Sequence, residues 1–450
     1  MNAAEVVDLC RSYSLFEWGT QEVNPLAIDR GEGCYLYTMD GRQILDFNSI
    51  AMNVNIGHGD QRITEAVARQ MSKVSFVSPF MVTEVRAEVA KMLAEITPDG
   101  LTKSFFTLSG SDANEAAIRT ARLVTGRRKI LSRYRSYHGS THQVLALAGD
   151  PRREPVEGGM GDIVRIPDPY HYRCPWITDE KEFCEFNLDQ IEQIVRLEGA
   201  HTIAAVIVEP VTGSNGLIIP PDGWLSGLRD LCDRHGILLI CDEVMTGFGR
   251  TGEWFAVDHD GVTPDIMTVA KGITSGYVPL GACIVSDDIA AAVHDRPLGS
   301  GLTYQSHPVG LAAASATIPI YESDNLIERS KKMGGYLLEG LQDLASRHVS
   351  VGDVRGRGLF TAMELVYDHD SRLELFSLTG SASKANQDMK KLFDEEGLSC
   401  ALRGPFLFAN PPLIVDHSQI DWALTIFDRA LDIADSETAS AGASAPPHSE

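Results

Sequence analysis

Apolar runs alternate with stretches of helical periodicity through the middle of the chain. Five apolar runs are typical of buried strands, namely KSFFTLSG (103–110), KILSRYRSYHG (129–139), TIAAVIVEPV (202–211), GILLICDEV (236–244) and DIMTVAKG (265–272). Segments such as 114–123 and 224–235, which lie between them, have helical periodicity. This alternation predicts an α/β fold in which helices cover both faces of a parallel sheet.

The flanks of this region have a different pattern. YLYTMDGRQILDF (35–47) reads as a hairpin that turns at Asp40-Gly41, and HVSVGDVRGRGLFTAMELV (348–366) reads as another strand-turn-strand unit. We expect residues 1–50 and 316–435 to form a smaller α+β domain beside a large domain of residues 51–315. The Ser-, Ala- and Pro-rich end, 436–450, is predicted to be a disordered tail.

A chain of 450 residues exceeds the roughly 250–300 residues that a single core usually serves, which favours two domains. Hydrophobic residues make up 44% and charged residues 22%, and no apolar run approaches the roughly 20 residues of a membrane span. The N-terminus lacks the basic start and apolar core of a secretory signal, so we expect a cytoplasmic protein.

The cysteines and the net charge exclude further classes. None of the eight cysteines forms a CxxC pair, which disfavours a disulfide framework and a zinc site, so we expect reduced thiols and no metal. A formal net charge of −23 repels nucleic acid and anionic lipid, so we expect neither as a partner.

Lys271 follows an apolar run and precedes Gly272. Ligands of open α/β sheets bind at the carboxyl ends of the strands, where partial desolvation lowers the pKa of a lysine towards nucleophilic use. The alternative is a lysine that extends from the strand end to solvent.

Asp242 follows five apolar residues and is predicted at the same edge of the sheet. A buried carboxylate needs a cationic partner, and a protonated pyridinium nitrogen is one. The alternative is a structural ion pair with an arginine such as Arg250.

A third group of residues lies where a strand passes into a helix. Ser109, Gly110 and Ser111 end the strand, and Asp112 with Glu115 has the spacing of a capping box. Backbone N–H groups and hydroxyls at a helix N-terminus make an anion site suited to phosphate. A plain turn with a helix cap accounts for the same residues.

Tyr137 and His138 follow the next predicted strand, so an aromatic ring could stack on a flat heterocycle at this edge. The alternative is simple packing.

Residues 247–252 spell GxGxxG after a strand. The segment that follows, EWFAVDHDG, does not open a helix, which argues against a nicotinamide site.

In this order, the motifs resemble those of the class III aminotransferases, which are fold-type I pyridoxal phosphate (PLP) enzymes. The motifs are SGSDANEAAIR (109–119), YHGS (137–140), VIVEP (206–210), DEVMTGFGRTG (242–252), DIMTVAKG (265–272) and GLTYQSHP (301–308), and the resemblance spans residues 24–427. It implies a large domain with a mainly parallel seven-stranded sheet and an α+β domain formed from both chain ends.

The resemblance also implies a role for each residue at the site. Lys271 would hold PLP as a Schiff base and move a proton between Cα and C4′. Asp242 would contact the pyridine nitrogen, and Val244 and Tyr137 would lie on the two faces of the ring. Glu209 would lie on the phenolic side, with His138 nearby. The residues implied at the phosphate are Ser109, Gly110, Ser111 and the partner subunit's Thr303. The active site would therefore belong to a homodimer, which could pair further into a tetramer.

Substrate choice depends on three positions. Relatives that use 2-oxoglutarate often have a glutamate five residues after the VEP glutamate, where this chain has Ser214. The resemblance is therefore to ω-amino acid, amine and taurine transaminases that use pyruvate. Arg403 resembles the arginine that binds the substrate carboxylate, with a surface salt bridge as the alternative. Trp18 either walls the substrate pocket or packs in the core.

The resemblance therefore implies a PLP-dependent aminotransferase, for which we expect ping-pong kinetics. An aminomutase or racemase on the same scaffold is the rival within enzymes, and consumption of a separate keto acid distinguishes the two. The rival from another class is a cofactor-binding protein without turnover, whose bound cofactor would respond to no amine.

Overall fold

A computed structural model describes residues 1–16, 20–156, 161–379 and 382–441. Its strands are β1 (Ile28–Glu32), β2 (Tyr35–Thr38), β3 (Gln43–Asp46), β4 (Leu101–Thr107), β5 (Lys129–Arg133), β6 (Ile163–Ile166), β7 (Ile203–Val208), β8 (Leu238–Asp242), β9 (Ile266–Val269), β10 (Gly281–Ser286), β11 (Val351–Arg357), β12 (Phe360–Leu365), β13 (Leu398–Ser399), β14 (Ala401–Arg403) and β15 (Phe406–Ala409).

The helices alternate with these strands over most of the chain. They are α1 (Ala3–Tyr13), α2 (Ser49–Met52), α3 (Gln61–Lys73), α4 (Glu84–Ile96), α5 (Gly110–Thr125), α6 (His142–Leu147), α7 (Glu180–Glu198), α8 (Trp224–His235), α9 (Asp287–Ala292), α10 (Pro308–Ser323), α11 (Leu326–Arg347), α12 (Lys384–Glu396) and α13 (His417–Ala441). The short α2 is a single left-handed turn, because all four of its residues have positive φ.

A seven-stranded sheet of order β4-β10-β9-β8-β7-β5-β6 forms the centre of the fold. All of its neighbouring strands are parallel except β10, which runs antiparallel to both β4 and β9. The five apolar runs of the sequence are strands β4, β5, β7, β8 and β9, and the predicted α/β class with a mainly parallel sheet is confirmed. Strands β6 and β10 complete the sheet.

Burial explains the apolar character of these strands. Every residue of β7 is buried, as expected for a strand that packs against helices on both faces. Helix α8 has the predicted bounds and buries Trp224. The predicted helical segment 114–123 lies inside α5, which buries one face rich in alanine.

Two smaller sheets contain the flanking strands. The order β1-β2-β3-β13 joins the two ends of the chain, because β13 pairs in parallel with β3. The predicted hairpin is formed by β2 and β3, with Gly41 in its turn at a φ of 89°. The predicted unit at 348–366 is the antiparallel pair β11 and β12, in a sheet of order β11-β12-β15-β14.

The C-terminal end differs from its prediction over six residues. Helix α13 extends to Ala441, so residues 436–441 are helical and not part of a disordered tail. The small side chains of Ala434, Ser436 and Ala439 do not break the helix, because alanine favours it strongly. The division into domains near residues 50 and 315 stays a prediction. No helix within the described ranges has the length and apolar character to cross a membrane.

Candidate active site

A cavity of about 340 Å³ lies at the carboxyl ends of the parallel strands. Nine of the residues singled out in the sequence line it, namely Ser109, Gly110, Ser111, Tyr137, His138, Glu209, Asp242, Val244 and Lys271. They come from the last residue of β8 and from the segments that follow β4, β5, β7, β8 and β9. The loops bring them together because parallel strands end at one edge of the sheet.

Asp242 is held at the floor of the cavity by a network of hydrogen bonds. Its Oδ2 accepts bonds from Asn114 Nδ2 at 2.7 Å and from His138 Nδ1 at 2.8 Å, and its Oδ1 accepts one from the backbone N–H of Val244 at 3.0 Å. Asn114 is fixed in turn, because its Oδ1 accepts a bond from Thr268 Oγ1. Since a carboxylate can only accept, the proton of His138 is on Nδ1.

The alternative partner of Asp242 is engaged elsewhere. Arg250 donates to the backbone oxygens of Leu359 and Pro411 and to the side chains of Ser49 and Asn55. The suggested structural ion pair between Asp242 and Arg250 is therefore wrong. Asp242 lines the cavity, and Oδ1 of this buried carboxylate accepts one hydrogen bond and has capacity for a second, as a pyridinium nitrogen requires.

Lys271 follows β9 and lines the same cavity, where it is half-buried. Burial lowers its pKa to about 8, although the negative charges of Asp242 and Glu209 oppose this. Within the described part of the chain, no carboxylate forms an ion pair with its ammonium group. An amine with this pKa has a substantial neutral, nucleophilic fraction near neutral pH.

The N-terminus of α5 and the loop after β5 form a tight cradle. A Cβ on Gly139, whose φ is 133°, would lie 2.3 Å from Ser111 Oγ, and a Cβ on Gly110 would lie 2.9 Å from Val244 Cγ1. Ser111 Oγ also accepts a bond from the backbone N–H of Ser140 at 3.1 Å. Backbone groups can approach a ligand closely here, because Gly110 and Gly139 have no side chain.

The capping prediction for this helix is corrected in detail. The N-cap of α5 is Ser109, whose Oγ accepts the N–H of Asp112 and bonds to its carboxylate at 2.8 Å. Glu115 lies one turn further along and accepts bonds from Thr141 and Gln143. The Ser-x-x-Asp pair therefore caps the helix one turn earlier than the Asp-x-x-Glu spacing suggests.

Glu209 follows β7 and is buried under Tyr137. Its two carboxylate oxygens accept the backbone N–H groups of Tyr137 at 3.0 Å and Gly213 at 2.8 Å. Burial raises the pKa of Glu209, while the nearby charges of His138 and Arg133 oppose that rise. This carboxylate therefore ties the loop after β5 to the loop after β7.

The family profile described as "Aminotransferase class-III" matches residues 18–431. The chain belongs to the class III aminotransferases.

Relatives and solved structures agree with this family. The chain is 35% identical to the putrescine–pyruvate aminotransferase of Pseudomonas aeruginosa over 416 aligned residues, and this alignment covers 90% of each chain. It is also 35% identical over 428 residues to a leucine/methionine racemase of Thermococcus litoralis, with 93% of each covered. The chain also resembles a solved structure, that of a taurine:2-oxoglutarate aminotransferase from Bifidobacterium kashiwanohense in complex with PLP and glutamate. The two superpose with a TM-score of 0.94 at 36% sequence identity, and the superposition covers 97% of this chain and 99% of the other.

The predicted family, fold, enzyme class and cofactor are confirmed. This class III aminotransferase has the fold of the PLP transaminases of fold type I and depends on PLP. The cavity fits that cofactor for three reasons. The glycines Gly110 and Gly139 let backbone groups approach a phosphate closely. The buried carboxylate of Asp242 can accept one more hydrogen bond, and Lys271 has a lowered pKa.

Arg403 does not line the cavity of this aminotransferase. Its Nη2 lies 3.0 Å from Asp150 Oδ2 and 3.3 Å from Asn215 Oδ1. Asp150 is 5% exposed, so the contact is a partly buried ion pair and not a surface salt bridge.

Two further predictions concern Thr303 and Trp18. Thr303 is exposed and does not line the cavity of its own chain. Trp18 lies outside the described residues, so its place at the substrate pocket stays a prediction.

Several site residues escaped the reading of the sequence. From the sequence, Asn114 is predicted only to begin a helical segment, although its side chain donates a hydrogen bond to Asp242. The motif SGSDANEAAIR contains a signal for this role of Asn114. An amide side chain among alanines on the inner face of a helix is buried, and a buried polar group needs a hydrogen-bond partner. Asp150 and Arg152 carried no motif and became visible only through their contacts.

Proposed function

We propose that the enzyme transfers an amino group from an ω-amino acid or an amine to a keto acid, with pyruvate as the preferred acceptor. The single observation that supports pyruvate as the acceptor is Ser214. Relatives that use 2-oxoglutarate often have a second glutamate at this position. Relatives named putrescine–pyruvate and taurine–pyruvate aminotransferase support the choice, whereas the taurine enzyme of known structure uses 2-oxoglutarate.

In this proposal Lys271 holds PLP covalently and later carries the proton that leaves the substrate Cα. When bound, the cofactor supplies an electron sink for the electron pair of that Cα–H bond. The pKa near 8 supports this role, since Lys271 can both attack as a neutral amine and accept a proton.

Asp242 would keep the pyridine nitrogen protonated, and its support is the network from Asn114 and His138 that holds the carboxylate in place. Val244 and Tyr137 would enclose the ring from two sides. Glu209 would lie on the phenolic side, where it already orients the backbone of Tyr137.

Ser109, Gly110 and Ser111 would hold the phosphate at the N-terminus of α5. Thr303 of the partner subunit would complete that site, which makes a homodimer the working form. The exposure of Thr303 supports this assignment, because a residue that acts across an interface must lie at the surface of its own subunit. The proposal places the enzyme in the cytoplasm.

The test is a panel of amine donors, each combined with equal concentrations of pyruvate and 2-oxoglutarate. We expect alanine to form faster than glutamate by tenfold or more in the ratio of kcat/KM, which corresponds to about 1.4 kcal/mol. A preference for 2-oxoglutarate would show that Ser214 does not determine the acceptor.

The racemase of Thermococcus litoralis makes epimerisation the second candidate. Leucine and methionine are therefore included in the panel without any keto acid. Formation of the opposite enantiomer under those conditions would favour the racemase, and its absence together with keto acid consumption would favour the transaminase.

A further inference from the structure

Arg355 on β11 binds the turn that follows β7. Its Nε donates to the backbone oxygens of Gly216 at 2.9 Å and of Leu217 at 3.0 Å, and its Nη2 donates to the same oxygen of Gly216 at 2.5 Å. The side chain of Arg355 is 10% exposed. One buried guanidinium group therefore joins two segments that lie 139 positions apart in the sequence.

The backbone of this turn, residues 213–217, is strained. Leu217 has a φ of 50°, in the left-handed region that a residue with a side chain rarely adopts. The N–H groups of Gly216 and Leu217 both donate to the carbonyl oxygen of Gly213, at 3.3 and 3.0 Å. Among the described residues, only Arg355 donates to the carbonyl groups of Gly216 and Leu217. The strained conformation is thus held from outside the turn.

The other side of the Arg355 guanidinium is fixed as well. Nη2 donates to Tyr170 Oη at 2.7 Å and to Glu364 Oε2 at 2.8 Å, and Nη1 donates to Asp353. Burial alone would raise the pKa of Glu364, but the charges of Arg355 and Arg173 lower it, so the carboxylate is ionised. A planar guanidinium can make all of these bonds at once, whereas an ammonium group cannot.

The turn contacts the cavity through Gly213. Its backbone N–H donates to Glu209 Oε2 at 2.8 Å, and a Cβ on Gly213 would lie 2.2 Å from Met245 Sδ. Both Glu209 and Met245 line the cavity. A displaced turn would therefore release one oxygen of Glu209 and leave the carboxylate held only by the backbone N–H of Tyr137.

We propose that Arg355 is a positioning residue for the cofactor site, because it holds the 213–217 turn and, through that turn, the carboxylate of Glu209. Arg355 itself does not line the cavity. This inference rests on the proposed place of Glu209 on the phenolic side of the cofactor. It gives a strand of a separate sheet a part in the geometry of the site.

Arg173 provides a matched control within the same network. Its Nε donates to Glu364 Oε1 at 2.7 Å, its Nη2 donates to the same oxygen, and its Nη1 donates to the backbone oxygen of Arg372. Among the described residues, none of its hydrogen bonds reaches the turn. A substitution of Arg173 thus disturbs the same buried carboxylate but leaves the contacts between Arg355 and the turn in place.

The test compares Arg355→Lys with Arg173→Lys, since each variant keeps a positive charge near Glu364 and removes the planar set of donors. In the apoenzyme, amide hydrogen exchange of the peptide that contains residues 210–218 reports how often the turn opens. In the PLP-loaded enzyme, the dissociation constant of PLP and the pH midpoint of the cofactor absorbance are measured. Glu209→Gln is the reference for both cofactor readouts.

For Arg355→Lys we expect the amides of the turn to exchange at least about tenfold faster than in the wild type. Both cofactor readouts should shift in the same direction as in Glu209→Gln and by at least half as much. For Arg173→Lys, exchange in the turn should change less than about twofold, and both cofactor readouts should keep their wild-type values. A general loss of stability would not move the absorbance midpoint in one variant alone.

Tyr170→Phe replaces Arg355→Lys in the test if the latter does not fold, because it removes one bond to Arg355 and leaves no charge unpaired. Exchange in the turn should then be at least about threefold faster. Unchanged exchange, or equal changes in the Arg355 and Arg173 variants, would overturn the inference.

The reference variant separates the inference from the function on which it rests. If Glu209→Gln shifts the cofactor readouts and Arg355→Lys does not, the inference alone is wrong. If Glu209→Gln leaves both readouts unchanged, the proposed place of Glu209 is wrong, and this result requires no variant of Arg355.

Discussion

The backbone of Lys271 lies in the left-handed region, with a φ of 44°. A non-glycine residue there is destabilised by roughly 1–2 kcal/mol relative to ordinary strand geometry. The conformation ends β9 abruptly and is followed by Gly272, where a Cβ would lie 2.7 Å from Asn55 Nδ2. Local strain and close packing therefore fix the start of the turn that carries the lysine at the cavity.

The first prediction at the residue scale concerns Lys271→Ala. We expect a loss of kcat of at least about 1,000-fold, since a covalent anchor and a proton carrier are removed together. Borohydride reduction should label the wild-type peptide that contains residue 271 and leave the variant unlabelled. A label on another lysine would contradict the assignment.

The second prediction concerns pH. Because only the neutral amine attacks an aldehyde, the rate at which apoenzyme captures PLP should increase as the pH rises through about 8, where burial places the pKa of Lys271. Stopped-flow absorbance at fixed ionic strength measures this rate. A midpoint near the ordinary lysine value of about 10.4 would show that desolvation does not act on this group.

The third prediction concerns the carboxylate network. Asp242→Asn should lower kcat by roughly 100- to 10,000-fold while PLP remains bound, because a neutral amide does not keep the ring nitrogen protonated. Asn114→Ala should have a smaller effect in the same direction, since Asp242 would keep its bonds from His138 and Val244. Single-turnover kinetics with a saturating amine donor distinguish the two variants.

At the scale of elements, the site depends on where loops leave the sheet. The loops after β5 and β7 are joined by Glu209, and the loop after β5 packs against the start of α5 through Gly139 and Ser111. No single element contains the site. Its geometry comes from five strand ends and the hydrogen bonds between the segments that follow them.

Gly139→Ala should weaken PLP binding at least about tenfold, because the added Cβ meets Ser111 and the φ of 133° is strained for alanine. The matched control is Gly126→Ala at the C-cap of α5, which also has a positive φ but no atom within 4 Å of the added Cβ. PLP titration followed by fluorescence measures both. Equal losses in the two variants would exclude the cradle as the cause.

Arg250 joins the N-terminal turn α2 to the residue before β12 and to the segment after β15. Its guanidinium is buried and donates to Ser49, Asn55 and two backbone oxygens. We expect Arg250→Met to reduce the free energy of unfolding by roughly 3 kcal/mol, because four buried acceptors lose their donor. Urea denaturation followed by circular dichroism measures this change, and an unaltered midpoint would contradict it.

At the scale of the whole molecule, exposed apolar residues precede α4. Phe80 is 99% exposed and Val82 is 82% exposed, and both are large apolar side chains. Contiguous apolar surface of this kind marks a protein interface. Together with the exposed Thr303, it supports the proposed homodimer.

A complementation experiment tests the shared site. Lys271→Ala and Thr303→Glu subunits should each be inactive as homodimers, whereas co-expression should restore about a quarter of the wild-type activity, because half of the dimers would be mixed and each would have one intact site. Light scattering verifies that all forms are dimers. No recovery in mixed dimers would place Thr303 in the site of its own subunit.

The sequence by itself determined the fold class, the positions of five strands of the central sheet, and nine of the residues that line the cavity. This was possible because buried parallel strands are continuous apolar runs, and because Lys271, Asp242 and Glu209 follow such runs directly. The residue after a buried strand is therefore placed by the strand itself. The resemblance of the motifs to a known family then implied PLP as the cofactor.

Only the tertiary structure decided which residues support that wall. Asn114 reaches Asp242 across 128 positions of the sequence, and Arg403 reaches Asp150 across 253. The local periodicity of the sequence does not predict such contacts, because they depend on how the loops after different strands pack together. The N-cap at Ser109 and the length of α13 are local features, whereas the counter-ion of Arg403 depends on a hydrogen bond between segments that lie far apart in the sequence.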